Sequence, residues 1–335
     1  MATPHLHSRK PETESDQYSH IGCGDHVDQR DDSAHRLVMN NKIDGFDNLD
    51  RAGRATGTIA RHPREAVYLL LGLGIALSWT LLAVMALRGA ELRVPGSGAP
   101  GDFLMRMLPD LPLPAFLDRF FMLCLTPAPF GSFALETFFA LTLMWVLMSV
   151  AMMLPSAAPM IRIYCEIADT ARLKGEPVVH PLVLVGGYLS AWLAASILFS
   201  GLSLAVQVAS AGQPGAPLAG LAGGVALGIA GLYQFSSLKQ ACLKKCRNPF
   251  SILFARWSAK PSRIFKLGLE QGIWCLGCCW ALMLVMFAVG IMNLFWMALI
   301  ALFTLVEKQG TKRLPTRLAG AILLVWAVVL LVSSA

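Results

Sequence analysis

From residue 65 onward this chain is a succession of apolar stretches, most of them near the roughly 20 residues a helix needs to cross a bilayer. No other feature limits the fold as strongly. A segment in hydrocarbon must satisfy its own backbone hydrogen bonds, and a helix does so internally. Composition agrees, since 55% of residues are hydrophobic and 15% charged, against about 25% charged in a typical soluble domain. The expected fold is all-α, a polytopic transmembrane helix bundle at 65–335 with about seven spans, preceded by a disordered cytoplasmic tail at 1–64. The spans are read at 65–88, 132–154, 182–207, 217–237, 271–289, 292–306 and 318–331. The fifth and sixth form either one kinked helix or a hairpin turning at Gly290 and Asn293.

Basic residues set the expected orientation. The segment 239–266 carries Lys239, Lys244, Lys245, Arg247, Arg256, Lys260, Arg263 and Lys266, and the turn after the sixth span carries Lys308, Lys312, Arg313 and Arg317. Residues 208–216 and 332–335 carry no Lys or Arg. The positive-inside rule then puts the N-terminus in the cytoplasm and the C-terminus outside. A net charge of +7 is explained by these loops and calls for no nucleic acid. The N-terminal segment has no apolar stretch before the first span, so it does not read as a signal peptide.

The spans hold no Asp, Glu, Lys, Arg or His near their centres; Glu65, Arg88, Glu136 and Glu307 lie at or near ends. That argues against a carboxylate-driven pump and against haem held between two intramembrane histidines. No nucleotide loop or serine-nucleophile motif is present, so any active transport would need an external energy source.

Sulfur is what the spans do carry. Met144, Met148 and Met152 recur at helical spacing, just ahead of Pro155, which is expected to end or kink the helix. If the fourth helix persists to Pro249, Cys242 and Cys246 share a face one turn apart, with Lys244, Lys245 and Arg247 supplying positive charge beside them. In the fifth span Cys275, Cys278 and Cys279, with Met283 and Met286, fall within an arc of roughly 140°. Thiolates and thioethers are the ligands a soft ion such as Cu(I) prefers. The plainer readings are that Met and Cys simply pack well in apolar interiors and that the basic segment binds anionic headgroups. Under the orientation above, these clusters and Glu307 meet at the cytoplasmic leaflet, where thiols stay reduced. Cys124 falls in an external loop with no obvious disulfide partner. In the tail, His20-Ile-Gly-Cys23-Gly-Asp-His26, with His5, His7 and His35, is a candidate for transient metal capture.

The segments Met144-Trp-x-x-Met148-x-x-Ala-Met152-Met153-x-Pro155, Leu238-Lys239-x-x-Cys242-x-x-x-Cys246-Arg247-x-Pro249 and Gly272-x-x-Cys275-x-Gly-Cys278-Cys279-Trp280, with Met292-Asn293-Leu294-x-Trp296-Met297 and Glu307-Lys308, resemble a bacterial family of uncharacterised, predicted metal-binding integral membrane proteins. The resemblance spans roughly 138–308 and implies metal binding in the bacterial inner membrane. The expected function is binding of a soft metal, copper first and zinc as the alternative, for handling, delivery or transport. Cys242, Cys246, Cys275, Cys278 and Cys279 are the expected ligands, with Met144, Met148, Met152, Met283 and Met286 as a softer relay and Glu307 at the cytoplasmic mouth. Expected partners are the lipid bilayer and a metal-donor or metal-acceptor protein. A thiol-based membrane oxidoreductase and a non-catalytic assembly subunit are the competing readings.

Overall fold

Long apolar segments become long helices. The computed structural model describes residues 63–92, 120–121, 134–210, 217–290, 293–310 and 312–334, and every regular element among these described residues is an α-helix. The expected tail through residue 62, its His20–His26 motif and Cys124 lie outside them. The helices are α1 (Pro63–Leu92), α2 (Ala134–Leu173), α3 (Pro181–Ser210), α4 (Pro217–Gln234), α5 (Ser237–Arg247), α6 (Pro249–Ala255), α7 (Pro261–Val289), α8 (Leu294–Gln309) and α9 (Leu314–Ser334).

Several boundaries depart from the sequence expectation, each for a local reason. Pro155 does not end α2, which runs through Pro155 and Pro159 for 40 residues. The carbonyl of Ala151, which a proline four residues on cannot serve, accepts instead from the Trp79 indole of α1 at 3.1 Å. The fourth helix does not persist to Pro249. It breaks after Gln234, and the chain bends by 66° into α5. The Ser236 side chain caps the new helix by accepting from the Lys239 N–H at 3.1 Å. Helix α7 starts at Pro261, ten residues earlier than expected, with the proline in its first turn.

The fifth and sixth spans are separate helices. Helix α7 stops at Gly290, whose φ of 95° is open to glycine, and α8 starts after Asn293, whose side chain accepts from the Trp296 N–H. Lys308 and Cys275, equally far in sequence from that turn, touch side by side at 2.9 Å. The pair is therefore an antiparallel hairpin.

Glycine sets the helix crossings. A Cβ on Gly268 would lie 2.0 Å from the Leu184 carbonyl oxygen, one on Gly187 would lie 2.1 Å from that of Phe265, and one on Gly272 would lie 2.7 Å from that of Tyr188. Backbones of α3 and α7 thus meet directly, as small residues allow in helical bundles. Gly223 and Gly224, expected to permit close approach, face Ala288 of α7 and Leu331 of α9. Trp145 of α2 is buried with its ring stacked between Phe199 of α3 and Phe287 of α7, at 4.8 and 5.6 Å, and its indole donates to Ser203 at 3.0 Å.

Lys239, counted among the loop charges by sequence, is fully buried. Its ammonium lies 2.9 Å from Glu307 Oε2, and both side chains are wholly enclosed. Gln234 Oε1 accepts from the same ammonium at 2.5 Å, and Thr316 donates to Glu307 Oε1 at 2.7 Å. The network joins α4, α5, α8 and the start of α9.

Among the described residues five helices, α1, α2, α3, α7 and α9, are long and apolar enough to cross a membrane, and the bent α4–α5 pair makes a sixth candidate. Helix α8, the expected sixth span, has 16 residues, fewer than the roughly 20 of a full crossing. Large apolar side chains face outward on α1 (Leu69, Leu73, Leu77), α3 (Leu193, Leu198) and α9 (Ile322, Val325, Val329).

Two predictions follow from this packing. Gly268→Ala should lower the thermal midpoint of the purified protein, at an overpacking cost of about 1–3 kcal/mol. Gly201→Ala, where a Cβ meets nothing within 4 Å, should leave it unchanged or raise it slightly. Lys239→Met alone should destabilise by about 3–5 kcal/mol, because it strands a buried carboxylate. Lys239→Met combined with Glu307→Leu should recover most of that loss, as measured by a double-mutant cycle of unfolding midpoints.

Candidate metal centre

The thiols of α7 are placed by the α3 crossing. With Gly272 against the Tyr188 backbone, the Tyr188 hydroxyl reaches both the Met153 carbonyl, to which it donates at 3.1 Å, and Cys275 Sγ at 3.0 Å. The Lys308 ammonium closes the other side, donating to Cys275 Sγ at 2.9 Å and to Ser156 Oγ at 2.6 Å. One sulfur of α7 is therefore contacted from α3 and α8, and both contacting groups are anchored on α2.

Cys278 connects this sulfur to α5. Its thiol donates to the Cys275 carbonyl at 3.0 Å, touches Cys279 Sγ at 3.2 Å and lies 3.9 Å from Cys246 Sγ. Cys275 is thereby joined to the other thiols through its backbone carbonyl. Four of the five expected cysteine ligands form one contiguous group. Cys242, one turn before Cys246, is seated against Gly277, where a Cβ would come within 2.7 Å of its Sγ. All the cysteines among the described residues are free thiols.

The positive charge beside the group is not the one expected. Lys244 and Lys245 are exposed. Arg247 turns to α8, donating through Nη2 and Nε to the Glu307 carbonyl at 2.7 and 3.2 Å. Lys308 is the cation at the sulfur. Glu307, expected at a mouth, is buried in the ion pair with Lys239, and its neighbour Lys308 reaches the thiol instead.

The methionines lie in two stripes, one on α2 and one on α7. Met144, Met148 and Met152 of α2 and Met283 and Met286 of α7 are all buried. Met286 lies about 16 Å beyond Cys275 along the axis of α7, and Met144 about 18 Å from Ser156 along α2. The contact between Trp145 and Phe287 shows that the two stripes run at the same level. They extend from the thiol group into the apolar part of the bundle.

A cavity of about 240 Å³ opens beside the thiols, with Tyr188, Cys246, Arg247, Gln271, Cys275 and Lys308 in its wall. Among the described residues no group of three or more His, Cys, Asp or Glu is arranged as a ready-made metal site. The donor chemistry nonetheless fits a soft ion at low coordination number. With a metal–sulfur bond of about 2.3 Å, as for zinc, two sulfurs 3.9 Å apart subtend roughly 115° at a shared ion, an ordinary angle for three- or four-coordinate binding.

Tyr188, Lys308, Ser156 and Gln271 escaped the sequence reading. Tyr188 follows Gly186-Gly187 as a lone phenol in an apolar helix, a signal that was available. Lys308 resembled any loop charge, and only the hairpin, which sets it opposite Cys275, gives it a partner.

A comparison with protein families bears on this site. A family model described as copper chaperone, PpoB2, matches residues 142–330, a range that contains every cysteine, methionine and charged residue of the site. No curated protein and no solved structure matches the chain significantly. The metal-related family expected from the sulfur motifs is thereby found, with copper as its named metal, and the chain belongs to the PpoB2 copper chaperone family.

Proposed function

We propose that this chain is a multi-pass protein of the bacterial inner membrane that takes up Cu(I) at its cytoplasmic leaflet, holds it on cysteine sulfur and hands it on. The reading is carried by one observation: thiols from two separate helices, Cys246 and Cys278, stand 3.9 Å apart beside the ammonium that contacts Cys275. Cys246 and Cys278 supply two thiolates, with Cys275 or Cys279 as a third, neutral sulfur donor, and Cys242 completes the α5 face. Thioethers need no deprotonation to bind a soft ion, so the methionine stripes of α2 and α7 are the onward route through the apolar interior.

Membrane insertion is supported by the apolar outward faces of α1, α3 and α9 and by the five long apolar helices. Seven crossings, with α4 and α8 as the short ones, put the basic segments 239–266 and 308–317 in the cytoplasm and leave the three arginines of 90–131 outside. At about 60 Å, the 40-residue α2 outruns a hydrocarbon layer of about 30 Å. Its excess carries Arg162, Glu166, Asp169 and Arg172, while α7 carries Arg263, Lys266 and Glu270 before Cys275. The thiol group thus sits where charged helix ends give way to apolar ones, which supports a place at the inner boundary of the bilayer. A donor or acceptor protein on that side fits the family's chaperone description.

Purified protein loaded anaerobically with Cu(I) should retain copper in elemental analysis. Cys246→Ser combined with Cys278→Ser should retain less than about a tenth of it, while a Cys165→Ser control matches the unaltered protein. Equal and near-zero copper in all three would end this reading. Lys308→Met should weaken retention against a competing chelator by about tenfold, or about 1.4 kcal/mol, through loss of the counter-charge to a metal-bound thiolate.

A further inference from the structure

We propose that the cargo arrives as an anionic Cu(I) complex of a small carboxylate-bearing thiol, recognised in the cavity by Arg247, Lys308 and Gln271. This rests on the copper reading and names its substrate. The cavity wall sets two cations and two thiols side by side: Arg247 and Lys308 with Cys246 and Cys275. Arg247 uses two of its five donors on the Glu307 carbonyl, and Lys308 two of its three on Ser156 and Cys275.

Gln271 is the independent observation. Its residue is 4% exposed, it lines the same cavity, and its Nε2 has no hydrogen-bond partner. An amide donor buried without a partner costs about 1–3 kcal/mol, and a ligand carboxylate is the group that would relieve it. The cavity volume, about 240 Å³, lies below the usual range for drug-sized ligands, about 300–1,000 Å³. It admits part of a small thiol and cannot seat a folded donor domain. Cys275 is nearly inaccessible, at 3%, whereas Cys246 is only half-buried. The half-buried thiol is therefore the first to meet the complex.

The transfer is a ligand exchange without redox change. Cys246 displaces one small thiolate from copper and its proton leaves on that sulfur. Cys278 then displaces the second in the same way. One bis-thiolate Cu(I) anion and two protein thiols become one protein-bound bis-thiolate Cu(I) anion and two free small thiols, with charge conserved.

The test uses the full chain in lipid nanodiscs, with loading followed by a chromogenic Cu(I) chelator. Copper is presented either as its glutathione complex or as its 2-mercaptoethanol complex, a bis-thiolate of the same kind that bears no carboxylate. At low salt, loading from glutathione should be faster by about tenfold, and this advantage should collapse at about 0.5 M salt, where screening is strong. Gln271→Leu and Arg247→Gln should each cut the ratio of the two rates at least threefold. Equal rates from the two donors in the unaltered protein would overturn the inference while leaving copper binding intact, as would an unchanged ratio in Gln271→Leu. Failure of both donors to load any copper would remove the copper reading and this inference together. The salt comparison needs no variant, so a misfolded Arg247→Gln cannot shelter the idea.

Discussion

The direct backbone contact between α3 and α7 is the constraint from which the site follows. Gly187, Gly268 and Gly272 remove the side chains that would hold these helices apart. Only at that separation can the Tyr188 hydroxyl span Cys275 and the Met153 carbonyl together. A tyrosine on a helix displaced by one methyl diameter would reach one or neither. Van der Waals packing between small residues thereby fixes the position of a polar group and a sulfur.

A second layer of constraint comes from charge. Glu307 and Lys308 are neighbours in sequence with unlike tasks. Glu307 is satisfied inside the bundle by Lys239 and Thr316, while Lys308 turns to Ser156 and Cys275. The Glu307 carbonyl also receives Arg247 from α5, the helix that presents Cys246. A buried pair of this kind gains little net energy over an apolar substitute. What it contributes is a fixed relation between α5, which carries one thiol, and α8, which carries the cation.

The all-helical fold was legible because uninterrupted apolar runs leave few alternatives, and the cysteines stood out because three fall within five residues. Helix ends were less legible. Pro155 looked like a terminator because its lost hydrogen bond was visible in sequence, whereas the Trp79 indole that takes up the orphaned Ala151 carbonyl lies 72 residues away. The break at Phe235-Ser236 lacks a proline or glycine to announce it. Lys239 was read as a loop charge since burying a lysine is costly, and its compensation by Glu307 is a long-range fact. Tyr188 and Lys308 likewise owe their roles to a helix crossing and a hairpin, which no local pattern encodes.

The ammonium on Cys275 has a consequence for which ions the centre tolerates. On the proposed reading, a monovalent ion on two thiolates, with Lys308 alongside, leaves the enclosed cluster electrically neutral. A divalent ion in the same place leaves one uncompensated positive charge in a region poorly reached by water, at a penalty of several kcal/mol, unless a third sulfur gives up its proton. A single fixed lysine would thus sort metals by valence, on top of any preference that sulfur itself expresses.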